Sequence, residues 1–202
     1  MGLNEDVGRR LRALRSEQDL SLSELSRRSR VGKGTLSELE SGLRNPTLET
    51  LYALATALGQ PLSAVLSDPL PQGARAPDPA GVSGTAVTGV LLERFEDEGG
   101  VTDVFRISIR AGVTQESEAH VPGTRESLMV LSGTAVVGPR DGAVGVEPGT
   151  CAHWAADQPH IYRALEGEVH GVLFVNYPSA ARGAGERPGP GGQSGTGPAG
   201  PA

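Results

Sequence analysis

Aromatic side chains make up only 3% of this chain, so whatever core it builds must be aliphatic. Its single cysteine, Cys151, excludes an internal disulfide framework and fits a reducing cytoplasm. No apolar run approaches the roughly 18 residues of a membrane span, and no charged-then-apolar N-terminus reads as a signal peptide. The expected location is the cytoplasm, with no membrane contact. An excess of positive charge is also missing, since the formal net charge is −6. The deficit is uneven. Residues 1–66 carry nine Arg/Lys against eight Asp/Glu, a net +1, and the remainder holds the acidity at −7. A near-neutral first part beside an acidic remainder implies modest non-specific affinity for nucleic acid and a need for specific, dimeric contacts.

What is present is most specific between Leu20 and Leu58. Ser21 and Glu24 form a Ser-x-x-Glu capping box that starts a helix at Leu22. Leu22 and Leu25, with Ser26 beside them, give it an apolar edge that stops by Arg30. Val31 begins a second short helix in which Leu36 and Leu39 face inward, leaving Lys33, Gly34, Thr35, Ser37 and Glu38 on the outer face. Gly42 closes that helix. Thr47, after Asn45-Pro46, caps another, with Leu48, Leu51, Tyr52, Ala55 and Leu58 on one face. Two short helices at a steep angle, the second tipped with small polar and basic groups, fit the major groove of duplex DNA. Lys33, Thr35 and Ser37 are candidates for base edges, with Gly34 allowing close approach and Glu38 able to accept from a cytosine amino group. Arg44 and Asn45, and Arg27 and Arg28, are placed for phosphates.

The rest of the chain has a different texture. Residues 67–85 are rich in Pro and Gly and read as a linker. Residues 179–202 are Gly, Pro, Ala and Ser with almost no apolar bulk, a composition that reads as disordered. Between them, over residues 86–178, the period falls to 2, as in Phe105, Ile107 and Ile109. Short strands are expected at 128–131, 134–137, 142–146 and 169–175, separated by turns such as Ser132-Gly133 and Glu166-Gly167.

These motifs carry two resemblances. Leu20 to Ser26, Thr35 to Gly42 and Asn45 to Leu51 are similar to the Cro/C1-type (XRE) helix-turn-helix regulators. That likeness implies five helices within residues 1–66: Asp6–Glu17, Leu22–Ser29, Lys33–Ser41, Leu48–Leu58 and Pro61–Leu66. It usually places Gly in the turn before Val31, where Arg30 stands here. If Arg30 must adopt positive φ, the strain costs on the order of 1 kcal/mol. In the second half, Gly112-x5-Glu118-x-His120-x5-Glu126-x6-Gly133, then Glu147-Pro148-Gly149 and Pro159-His160, resemble the two cupin motifs, in particular those of XRE–cupin regulators. The implied fold class is α + β in two domains, a five-helix DNA-binding domain followed by a cupin β-barrel (jelly roll).

On a strand, Glu118 and His120 would point to one face, with Glu126 across a short turn and His160 arriving from a third strand. His120, Glu126 and His160 would make a two-His-one-carboxylate triad for Fe, Mn, Ni or Zn, with Glu118 as a fourth ligand or a solvated strand edge. The same pocket could instead hold a small organic effector without metal. His153 and Trp154 are candidates for the pocket wall, and Cys151 reads as a buried inert thiol. The function implied is a sequence-specific transcriptional regulator, a homodimer on a two-fold operator, modulated by a small-molecule effector in the cupin domain and not an enzyme. The alternative is a helix-turn-helix–cupin mononuclear non-haem metal enzyme of oxygenase or epoxidase type.

Overall fold

Ser21 and Thr47 act as their positions predict. Each side-chain oxygen accepts a hydrogen bond from the backbone N–H three residues on, from Glu24 at 3.1 Å and Thr50 at 3.3 Å. Each thereby satisfies one of the orphan donors of a helix N-terminus. The computed structural model describes residues 3–66 and 81–179. Its five helices are α1 (Leu3–Glu17), α2 (Leu22–Ser29), α3 (Lys33–Glu40), α4 (Leu48–Ala57) and α5 (Leu62–Leu66). Val7 and Leu11 of α1 meet Leu25, Leu36, Leu39, Leu51 and Leu54 in a buried aliphatic centre. The Arg15 guanidinium grips the Glu40 carboxylate at 2.6 and 2.8 Å and also donates to the Leu20 carbonyl, tying α1 to α3. The two helices cross so closely at Gly8 that a Cβ there would lie 2.2 Å from the Leu39 carbonyl oxygen.

Arg30, at the end of α2, takes φ +59°, the left-handed region that the missing glycine would occupy without strain. Arg30→Gly is therefore expected to raise stability by up to about 1 kcal/mol, seen as a higher urea midpoint at unchanged m. A lower midpoint would show that the arginine side chain contributes more than its backbone costs.

The β-domain holds β1 (Gly81–Ser83), β2 (Val87–Asp97), β3 (Gly100–Ile109), β4 (Thr114–Ser117), β5 (Arg125–Pro139), β6 (Val144–Val146), β7 (Cys151–Ala155) and β8 (His160–Pro178). All named pairings are antiparallel, in the order β1-β2-β3-β8-β5-β6, with β4 also on β8 and β7 on β5. The domain thus begins at Gly81, inside the stretch read as linker. Residues 67–80 of that stretch, and 180–202 of the tail expected to be disordered, lie outside the described residues.

Two expected turns are instead irregularities within long strands. β5 runs through Ser132-Gly133 and β8 through Glu166-Gly167, and their mutual register shifts there. The glycines supply the left-handed residues that such bulges need, at φ +78° for Gly133 and +67° for Gly167. The shift reverses which parity faces inward. His160, Tyr162 and Ala164 are buried before it on β8, whereas Val169, Leu173, Val175 and Tyr177 are buried after it. A single displaced residue exchanges the two faces of a strand.

One hydrophobic cluster runs from the helices into the β-domain. The helices are docked on that domain by more than apolar contact. Ser63 N–H of α5 donates to Asp103 of β3 at 3.0 Å, and Leu62 N–H donates to the Tyr177 hydroxyl of β8 at 3.3 Å. Among the described residues, no helix is long and apolar enough to cross a membrane.

Candidate DNA-reading helix and candidate metal centre

On α3, Leu36 and Leu39 are buried while Lys33, Gly34, Ser37 and Glu38 are exposed and Thr35 is half-buried. All five candidate readers therefore lie along the outward side of one short helix. Arg44 and Asn45 are exposed just beyond it. Arg44 pairs with Glu38 at 3.1 Å, so the cation expected on phosphate and the acid expected on a base currently engage each other. Arg27 and Arg28 both pair with Glu24, and their guanidiniums hold that carboxyl down to about 2. Asn45 accepts a hydrogen bond from the Asn4 side-chain amide of α1.

In the β-domain the structure brings together three of the four residues considered as metal ligands. His120, Glu126 and His160 are buried, and their ligand atoms all lie within 4.8 Å of one another. They reach the domain interior from different places. Glu126 points inward from the start of β5, and His160 from the start of β8. His120 sits in the loop before β5, held by its N–H to the Ala156 carbonyl at 2.9 Å. Glu118 is not part of the group. β4 ends at Ser117, so the strand alternation that would have aligned Glu118 with His120 does not continue, and Glu118 is exposed.

His120 Nε2 lies 3.1 Å from one carboxylate oxygen of Glu126, and His160 Nε2 lies 3.3 Å from the other. The second oxygen also accepts a short hydrogen bond from the Tyr162 hydroxyl. Burial would raise the pKa of Glu126, but the hydrogen bonds and charges of the two imidazoles outweigh it and hold the carboxyl well below its usual range. His160 is subject to the same contest in reverse. Burial lowers its pKa, while the hydrogen bond and charge of Glu126, with the Gln158 carbonyl, prevail and raise it.

That carbonyl also fixes the tautomer. It can only accept, so the contact at 2.9 Å puts a proton on His160 Nδ1. A neutral His160 would then aim its Nε2 lone pair at a carboxylate oxygen 3.3 Å away, so that contact is a hydrogen bond only when the ring carries a second proton. A cation between them resolves the conflict, either a proton on the ring or a metal ion. The two His–Glu126 separations suit a metal, because neighbouring ligand atoms about 2.1 Å from a common ion lie roughly 3.0–3.4 Å apart. The donor set, with a buried nitrogen that is unpartnered in the neutral ring, thus fits a divalent ion.

Trp154 is buried on β7, edge-on to Tyr162 at 5.8 Å and tilted to His160 at 6.3 Å, so it does line the interior beside the triad. His153 does not. Adjacent strand residues face opposite ways, and it stands exposed on the outer face, in contact with Ser127 Oγ at 2.8 Å. Cys151, two residues earlier, shares that outer face and is exposed, contrary to the buried thiol expected.

The sequence reading missed Tyr52, Gln115 and Tyr162. The sequence places Tyr52 only on the apolar face of α4. Its ring lies flat on that of His120, with centroids 4.1 Å apart and planes 10° from parallel. Gln115 of β4 is buried and donates to Glu49 of α4 at 2.7 Å. The apolar cavity nearby amounts to about 20 Å3, lined from the helices by Leu48, Tyr52 and Leu62, and from the β-domain by Phe105 and Tyr162 among others.

Comparison with known proteins adds four findings. Residues 11–65 match the helix-turn-helix family HTH_3. The chain is similar to the HTH-type transcriptional regulator SutR of Escherichia coli (strain K12), 29% identical over 170 residues, which covers 83% of this chain and 93% of that protein. It is also similar to an uncharacterized HTH-type transcriptional regulator, y4dJ, of Sinorhizobium fredii, 46% identical over 59 residues, or 29% of this chain and 77% of that protein. The crystal structure of an HTH_3 family transcriptional regulator from Vibrio cholerae shares the fold with a TM-score of 0.72 and 25% identity, covering 88% of this chain and 98% of that one.

Proposed function

Because the chain belongs to the HTH_3 (XRE-type) family of helix-turn-helix transcriptional regulators, we propose that it is a ligand-responsive, sequence-specific DNA-binding regulator of the cytoplasm. Two copies would present α3 to the half-sites of a two-fold operator. The observation that carries this reading is the division of α3, with leucines buried on one side and Lys33, Thr35 and Ser37 grouped on the other. The near-neutral helical part gives little general grip on phosphate, so affinity depends on pairing two reading heads. Exposed Met129 and Leu131 on the outer face of β5 support the β-domain as the dimer interface.

The sensing site is the interior around His120, Glu126 and His160, holding one Fe, Mn, Ni or Zn ion. Such an ion supplies open coordination positions for an oxygen or nitrogen donor of a small effector. Catalysis is the weaker reading. Among the described residues, no activated nucleophile or separate acid–base pair lies beside the triad.

The reading helix is tested by a Lys33→Ala, Thr35→Ala double variant. It is expected to keep its far-UV circular dichroism while losing sequence discrimination by about 10- to 100-fold per base contact in a shift assay against competitor DNA. Undiminished selectivity would remove α3 from that role.

A further inference from the structure

A histidine that ligates a metal normally has its second ring nitrogen fixed by a hydrogen bond, which sets the plane of the ring. His160 has such an anchor in the Gln158 carbonyl. His120 does not, for its Nδ1 is buried and without a partner. What orients that ring is aromatic contact. The Tyr52 phenol lies flat against one face, and the His160 ring meets it edge-on at 4.9 Å and 84°. Tyr52 belongs to α4, which packs within the DNA-binding helices and not within the β-domain.

The contact is braced on both sides. One turn before Tyr52 on the same helix face, Glu49 accepts from Gln115 Nε2 and from Thr85 N–H, both at 2.7 Å. The Tyr52 phenol lies beside that of Tyr177, which receives the Leu62 N–H of α5. Helix α4 is thus held over the interior by a carboxylate at one end and a phenol at the other.

We propose that Tyr52 is a positioning residue of the metal centre, so that docking of the DNA-binding helices and occupancy of the His120–Glu126–His160 site form one linked equilibrium. The proposal rests on the metal reading above. With α4 docked, the His120 ring is held with Nε2 toward Glu126; with α4 displaced, it keeps only the edge of His160 and the Glu126 contact, and loses the flat face that sets its plane. An ion that prefers the docked form must strengthen docking by the factor by which docking strengthens its binding. The reading heads would then be fixed relative to the β-domain when metal is bound and freer when it is not.

The test uses the full chain and Co(II) alone, followed by its visible absorption and by titration. Tyr52→Leu keeps apolar bulk but removes the flat ring, whereas Tyr52→Phe keeps the ring and loses only the hydroxyl. Tyr52→Leu is expected to bind Co(II) 10- to 100-fold more weakly with an altered spectrum, and Tyr52→Phe to restore affinity to within a few-fold. In the unaltered protein, Co(II) is expected to slow hydrogen exchange of the α4 amides. Equal affinity of Tyr52→Leu and the parent overturns the inference and leaves the metal reading standing. So does Co(II) binding with no change in α4 exchange, whatever the variants do. A parent protein that binds no metal overturns both.

Discussion

Asp103→Asn is expected to make the protein more stable at pH 7–8, by up to about 3 kcal/mol, and to remove a fall in stability between about pH 4 and pH 6. Asp103 is buried on β3, where loss of water raises its carboxyl to about 6, against the partial relief given by Ser63 and the charge of Arg94. Its folded pKa is therefore above that of the unfolded chain. The folded state binds the proton more tightly, so the stabilisation is complete at pH values below the unfolded pKa. It is lost as pH rises through the folded one. Above that point an ionised carboxylate is buried with one oxygen lacking a hydrogen-bond partner. Asparagine keeps an acceptor for the Ser63 N–H and carries no charge. The measurement is the difference between the urea-unfolding free energies of parent and variant from pH 4 to 8. A difference that stays flat across that range would show that Asp103 does not take up its proton there.

Glu126→Ala is expected to have the opposite sign and a comparable size, a loss of about 3–5 kcal/mol at neutral pH. The carboxylate is the common partner of His120, His160 and the Tyr162 hydroxyl, all deep in the interior. Removing it leaves those groups without water and without a counter-charge. Glu126→Gln separates stability from ligation, since its amide oxygen can still accept from Tyr162. That variant is expected to lose much less stability and to lose metal binding as fully as the alanine. Retained metal affinity in Glu126→Gln would remove the carboxylate from the ligand set. In the parent, the depressed carboxyl stabilises the fold above the unfolded carboxylate pKa, and that contribution is lost as pH falls toward the folded value.

The helical part was legible because its signals are local. Ser21, Thr47 and the spacing of Leu36 and Leu39 each act within one turn, and the structure places two helix starts at Leu22 and Leu48 as those signals read; the second helix, read from Val31, starts at Lys33 instead, the bound that the resemblance implied. Arg30 shows the same locality, its positive φ following from the turn position it fills. The β-domain was harder to read because its strands change parity midway. Gly133 and Gly167 read as turns between separate strands, because a bulge and a turn have the same composition, and only pairing across β5 and β8 separates them.

His120, Glu126 and His160 could be found because their residue types are costly to bury without a purpose. Glu118 was misplaced because an alternation was carried past the end of its strand. Tyr52 and Asp103 carried no signal of their own. Periodicity marks a residue as buried without naming what it is buried against, and a Pro/Gly-rich stretch between two units says nothing of whether they touch.

Strand β8 has a consequence for how the molecule is made. It is the last strand of the described chain, yet it lies between β3 and β5 and also pairs with β4. Its partners on β3 lie far back in sequence, as Thr102 opposite Asn176 illustrates. The helices form from neighbouring residues and can assemble in microseconds to milliseconds, while pairings of such long range are slow. During synthesis the leading helices therefore emerge first, and the side of α4 and α5 that meets Tyr177 stays uncovered until β8 leaves the ribosome. Over that interval the edges of β3 and β5 are open to pairing with other chains. A chain cut short before His160 would hold that exposed state permanently, and aggregation rather than a free DNA-binding fragment is its expected fate.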